Sequence, residues 1–99
     1  MATSDSAFSA VVVVQVDDSL DLHTFHPRDI PSLVPEYLRL CREKGILRVR
    51  LIHGKGKGIL REQVHAILRG LEWVSEFRLA DRLGGDWGAT IVALRPPGP

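Results

Sequence analysis

The order of hydrophobic patterns predicts a two-layer α/β sandwich, with a βαβαββ core, a mixed and mostly parallel sheet, and an extra N-terminal strand. Three observations carry this. Two stretches, Pro35–Lys44 and Gly58–Arg69, repeat apolar residues at helical spacing. Between them Ile46–Ile52 alternates as a strand does, with arginines at 48 and 50. Short β-branched or apolar runs stand before the first helix and after the second. A strand–helix–strand order makes parallel neighbours through a crossover, and two helices suffice to cover one sheet face.

The chain has 99 residues, 44% hydrophobic and 25% charged, which is the composition of one small globular domain. A chain of this size buries roughly two thirds of its unfolded surface, so one core can form without staples. A single cysteine, Cys41, excludes an internal disulfide framework and favours a reducing compartment. No apolar run approaches the ~20 residues that cross a bilayer. The opening residues carry no basic segment ahead of Val11–Val14, so no signal peptide is expected and the cytoplasm is the expected location.

Taken in order, residues 1–9 are small and polar and read as a tail, 10–95 as one domain, and 96–99 as a Pro-rich tail. Ala10–Val16 and Leu20–His23 flank Asp17-Asp18-Ser19 and read as a hairpin. Val11–Val14 fits either a covered strand or an exposed edge. As an edge it could pair between chains, so a monomer or weak homodimer is expected. Pro35 lacks an N–H and clashes one turn back, which predicts a distorted turn over 29–34 and a regular helix only from Pro35. Leu33, Val34, Tyr37, Leu38 and Cys41 share its apolar face, placing Cys41 in the core, and Gly45 is a left-handed cap. In the second helix Leu60, Val64, Ile67 and Leu68 form the buried stripe and Gly70 ends it. Leu71–Val74 is a turn with Trp73 over one end of the core. Phe77–Ala80 and Ala89–Arg95 are the last strands, joined by a glycine-rich loop.

The chemistry concentrates at Val49–Arg61, VRLIHGKGKGILR. An apolar strand stops at His53, glycines alternate with Lys55 and Lys57, and an amphipathic helix opens at Ile59. Glycines let main-chain N–H groups approach a ligand, lysines add charge, and a helix N-terminus directs its free donors at an anion. The stretch matches neither a P-loop nor G-x-G-x-x-G, so on spacing alone an ordinary strand–turn–helix connection accounts for it too. Arg39, Arg42, Lys44, Arg48, Arg50, Lys55, Lys57 and Arg61 face only Glu43 in the same window, a basic sector compatible with a polyanionic partner. Ligands of such sheets sit beyond the carboxyl ends of parallel strands, which here brings Asp21, His23 and His53 to one edge.

Leu20-Asp21-Leu22-His23, His53-Gly54-Lys55-Gly56 and Gly84-Gly85-Asp86-Trp87-Gly88-Ala89-Thr90, in that order, resemble the Smr (small MutS-related) domain family over about residues 20–95. Thr24 stands where the family pattern has a glycine, and the last loop is one residue longer than the shortest family form. The resemblance implies a fold similar to the C-terminal domain of translation initiation factor three. It also implies nucleic-acid binding by what reads as a stand-alone member, and in several members cleavage of DNA or RNA. Asp21, His23 and His53 are then the catalytic candidates. Gly54, Lys55, Gly56, Lys57, Arg61, Gly85, Trp87, Gly88 and Thr90 are the phosphate and nucleic-acid candidates.

Phosphodiester hydrolysis needs a base, charge stabilisation and a proton for the leaving oxygen. Asp21 and His23, two apart in a strand, leave the same face, so Asp21 could orient His23 or hold a divalent ion, Mg2+ or Mn2+. Asp21 could equally cap a turn. Trp87 could stack on a base or simply pack its loop. His26 and His65 match no motif and are assigned structural or exposed roles, and no zinc set is evident. A binding module without catalysis, using the same lysines and glycines, is the second hypothesis, and a small-anion or nucleotide binder the third.

Overall fold

A computed structural model describes residues 18–56, 58–80 and 88–98. Four strands form one sheet in the order β1-β2-β4-β3, with β1 at Asp18–Asp21, β2 at Arg48–Ile52, β3 at Val74–Leu79 and β4 at Ala89–Leu94. Helices α1 (Ile30–Glu43) and α2 (Ile59–Arg69) connect β1 to β2 and β2 to β3. This is the expected βαβαββ order. β1 pairs parallel with β2, while β4 lies antiparallel between β2 and β3. Three of the four described strands therefore run one way, in a mixed sheet. The run Ala10–Val16, expected as the extra strand, lies outside the described residues; the strand at the N-terminal side of those described is β1.

Period-two alternation decides which sheet face is covered. Val49 and Leu51 of β2, with Val92 and Leu94 of β4, join Ile30, Val34, Leu38 and Cys41 of α1 and Val64 and Leu68 of α2 in one buried cluster. Both helices thus sit on the same face. The other face presents Arg48 and Arg50 opposite Ala93 and Ile91, with a smaller cluster of Ala80, Ala89 and Ile91. Trp73 packs at the edge of the main core with the Arg42 guanidinium 5.6 Å from its ring centroid, and Arg42 Nε donates to the Arg95 carbonyl at 2.7 Å. That contact ties α1 to the end of β4.

Three local expectations change. The turn residues Asp18 and Ser19 belong to β1, which ends at Asp21, so Leu22–Thr24 form a 3-10 turn instead of extending the strand. Helix α1 starts at Ile30 and carries Pro35 inside it. The proline removes one hydrogen bond near the helix start, and fully buried Ile30, Val34 and Leu38 hold the turns on either side of it. β3 begins at Val74, three residues earlier than expected, through an irregular register between Val74 and Glu76. Gly45 at φ 81° ends α1 as expected, and Cys41 is buried, its thiol pushed up by that burial.

Leu51 is fully buried at the centre of this cluster. Leu51→Ala is expected to cost about 2–5 kcal/mol of unfolding free energy, measured by urea denaturation.

Candidate functional site at the β1 and β2 ends

Parallel pairing places Asp21 opposite Ile52, so the chain segments that follow both strands leave the sheet side by side. After β1, Asp21 caps the 3-10 turn. Its Oδ1 accepts the His23 main-chain N–H at 2.9 Å and lies 2.8 Å from His23 Nδ1. The pair meets through a cap, and not through a shared strand face as expected; both the capping role and the histidine-orienting role hold at once. The His23 N–H, and then its ring, hold the Asp21 carboxyl below its usual range. Both side chains stay open to solvent, 55% exposed for His23 and 54% for Asp21.

After β2, Gly54 turns the chain at φ 83°. A Cβ there would lie 2.5 Å from His23 Nε2, so only glycine lets the ring stand this close. The Gly88 carbonyl accepts the N–H groups of His53 at 2.9 Å and Gly54 at 2.8 Å, and Gly88 itself lies against Gly54. Residues of all three motifs therefore converge on Gly54. Gly58, at φ 85°, precedes α2 and has no side chain to cap it. The Arg61 guanidinium folds back to within 2.5 Å of where a Gly58 Cβ would stand. A depression of about 260 Å³ lies there, lined by His53, Gly54, Gly56, Gly58, Ile59, Leu60 and Arg61. Uncapped first-turn N–H groups, the positive helix end and a guanidinium suit an anion. Ile59 is 73% exposed at its edge, an apolar surface beside a charged one.

His53 differs from His23. Its side chain is buried, with Nδ1 3.0 Å from the Gly54 carbonyl and Nε2 2.8 Å from Thr90 Oγ1. His53 lines the depression, and both its ring nitrogens are engaged. His65, expected to be structural or exposed, reaches the same Thr90 oxygen from α2 at 2.8 Å, and its ring meets that of His53 edge-on at 6.1 Å. That structural role agrees with the expectation, while its link to Thr90 had no signal beyond a histidine one position after buried Val64 on an amphipathic helix. Burial pushes both imidazoles below the ordinary value, opposed for His53 by the Gly54 carbonyl and reinforced for His65 by His53. His26, by contrast, accepts Arg28 N–H at Nδ1 and caps a turn.

The basic sector disperses in the fold. Arg39 bridges Glu36 and Glu43, Arg42 holds the end of β4, and Arg48 and Arg50 lie on the sheet face away from the helices. Of that window, Arg61 lines the depression, and the Lys55 side chain lies against Gly88. Gly56 lines it, and Thr90 is fully buried behind it. Lys57, Gly85 and Trp87 lie outside the described residues. Among the described residues no group of three or more His, Cys, Asp or Glu side chains is placed to hold a metal ion, and Asp21 Oδ1 is taken by His23. Among the described residues these donors alone do not fit a divalent site. No described helix is long and apolar enough to cross a membrane.

The fold and this site define a small α/β domain with an uncapped helix start and a glycine turn beside an Asp–His pair. The Smr domain model matches residues 20–95, and the chain belongs to the Smr domain family. It is 33% identical to the endonuclease MutS2 of Thermomicrobium roseum over 87% of this chain and 11% of that protein. The endonuclease MutS2 of Pelotomaculum thermopropionicum is 38% identical over 81% of this chain and 10% of its own length. The chain thus spans about a tenth of these relatives. The crystal structure of the Smr domain of Thermus thermophilus MutS2 superposes with a TM-score of 0.74 at 35% identity, covering 80% of this chain and 99% of that one. YdaL of Escherichia coli, a stand-alone small MutS-related protein, shares the fold at a TM-score of 0.74 and 24% identity, over 96% of this chain and 78% of its own.

Two outcomes follow from the geometry. Gly54→Ala forces a left-handed alanine, costing about 1–2 kcal/mol, and displaces the His23 ring; a lowered melting temperature and shifted His23 ring resonances are expected. Acid should also weaken the fold. His53 and His65 have folded pKa values below 6.5, so on acidification the unfolded chain takes up protons first. Their contribution is complete above about pH 6.5 and is lost as pH falls toward the folded values. Thermal melts between about pH 7.5 and about pH 5.5 should show the decline, and His65→Gln should flatten it.

Proposed function

We propose that this domain binds DNA or RNA at the α2 cradle and hydrolyses a phosphodiester there, with His23 as the catalytic base. The observation that carries this is the closeness of His23 Nε2 to Gly54: an exposed imidazole stands against the left-handed glycine turn that leads to an uncapped helix start. Membership in a family that includes domains of proteins named as endonucleases supports it.

The Asp21 carboxylate accepts at His23 Nδ1, so the neutral ring keeps its lone pair at Nε2. Nε2 takes the proton of the attacking oxygen, from water or from a ribose 2′-hydroxyl. The new O–P bond forms as that proton leaves, and the P–O bond to the departing oxygen breaks. The imidazolium or solvent returns a proton to the departing oxygen. Hydrolysis by water yields a phosphomonoester and a hydroxyl. Lys55, Arg61, the first-turn N–H groups of α2 and, on sequence grounds, Lys57 offset charge on the non-bridging oxygens. Asp21 is a positioning residue in this scheme, and His53 supports the turn from beneath. Mg2+ or Mn2+ is a matter for the assay. The buried thiol of Cys41 suits a reducing compartment such as the cytoplasm.

A second reading, binding without cleavage, is favoured by one observation: burial of His53 leaves His23 as the one exposed imidazole at the opening among the described residues. Supercoiled plasmid and a structured RNA, incubated with wild type, Asp21→Asn and His23→Gln with and without Mg2+ or Mn2+, separate the two. Hydrolysis predicts cutting by wild type that falls roughly a hundredfold or more in His23→Gln. Binding alone predicts intact substrates with every protein. In both, Lys55→Ala and Arg61→Ala should weaken binding and reduce the slope of log K against log salt by about 0.7–0.9 each.

A further inference from the structure

Beneath Gly54 a chain of polar contacts fixes its own proton positions. His65 Nε2 lies 2.8 Å from Thr90 Oγ1, the same oxygen lies 2.8 Å from His53 Nε2, and His53 Nδ1 lies 3.0 Å from the Gly54 carbonyl. Thr90 is fully buried and His53 is 5% exposed, so water does not substitute freely for any of these partners. A carbonyl only accepts, so His53 Nδ1 carries a hydrogen. In the neutral ring Nε2 is then a lone pair, which receives the one hydroxyl proton of Thr90. Having given that proton, Thr90 can only accept from His65, whose Nε2 must bear hydrogen. A protonated His53 would instead set two N–H donors on the hydroxyl and leave the hydroxyl proton without an acceptor.

We propose that His65 is a positioning residue: through Thr90 it holds His53 in the Nδ1–H form, whose donation to the Gly54 carbonyl fixes the turn against which His23 stands. Burial, which disfavours charge on both rings, works in the same direction. Among the charged neighbours only Glu62, beside His65, favours a charged ring; the others add to the effect of burial. His53 faces Arg61 and His23, and His65 faces Glu62, Arg69 and Arg61, with Phe77 packed 4.9 Å from its ring. Losing the His65 donor frees Thr90 to accept from His53 as well as donate to it, so the Gly54 carbonyl is left as the single group that favours the Nδ1–H form.

The consequence for cutting rests on the hydrolysis proposed above, whereas the proton positions can be read without it. The experiment is nitrogen-15 NMR of the histidine rings in the full chain at neutral pH, for wild type, His65→Leu and His65→Gln. Wild type should show His53 as the Nδ1–H form alone. His65→Leu should convert it to a mixture with the Nε2–H form, and His65→Gln, whose amide N–H can donate to Thr90, should restore it. Finding His53 as Nε2–H in wild type overturns the proposal outright, even if no variant folds. An unchanged His53 in folded His65→Leu overturns it as well. Where wild type cuts nucleic acid, His65→Leu should lower the cleavage rate roughly tenfold to a hundredfold with little change in binding, and His65→Gln should recover it. Absence of cutting by wild type, with the ring forms as expected, counts against hydrolysis and leaves the positioning role standing.

Discussion

The site depends on the Gly88 carbonyl and the two N–H groups it accepts. Parallel pairing of β1 with β2 sends two chain segments out of the sheet together, but pairing ends at Asp21 and Ile52. Beyond that point the segments would diverge if nothing held them. The Gly88 carbonyl takes the N–H groups of both His53 and Gly54, extending the β2–β4 attachment past the last ladder pair. This anchors the turn at the moment its backbone enters the left-handed region, which is costly for most residues and open to glycine. His23, delivered by the capped turn after β1, then has a fixed surface to stand on. A strand inserted antiparallel between β2 and β3 is what brings Gly88 and Thr90 to this place at all.

Much of this was legible in the chain because the signals were local. Helical and alternating periodicities gave both helices and the order of strands, and three short motifs gave the Asp21–His23, His53–Gly54 and Gly88–Thr90 segments. What the chain did not disclose were properties that arise from neighbours distant in sequence. Pro35 argued for a helix start, yet three buried residues around it outweigh one lost hydrogen bond. Asp21 and His23 were correctly associated for the wrong geometric reason, since whether Asp21 continues a strand or caps a turn depends on where pairing with β2 stops. The link from His65 was passed over because its partner, Thr90, lies 25 residues away on another element. The basic window showed the opposite failure: a run of positive charge in sequence became several separate surfaces once α1, β2 and α2 turned its members in different directions.

Burial also divides labour between two histidines, His23 and His53, that the sequence motifs present as equals. His23 keeps an exposed ring whose one nitrogen is committed to Asp21, leaving the other for a reacting partner. His53 has no such freedom, since its two nitrogens are both occupied under the surface. A neutral ring there supplies directional hydrogen bonds to the turn without adding a charge, and the positive field beside it comes from Arg61 and the start of α2. In the proposed hydrolysis His23 would move a proton while the Gly54 turn stays where Gly88 and His53 hold it.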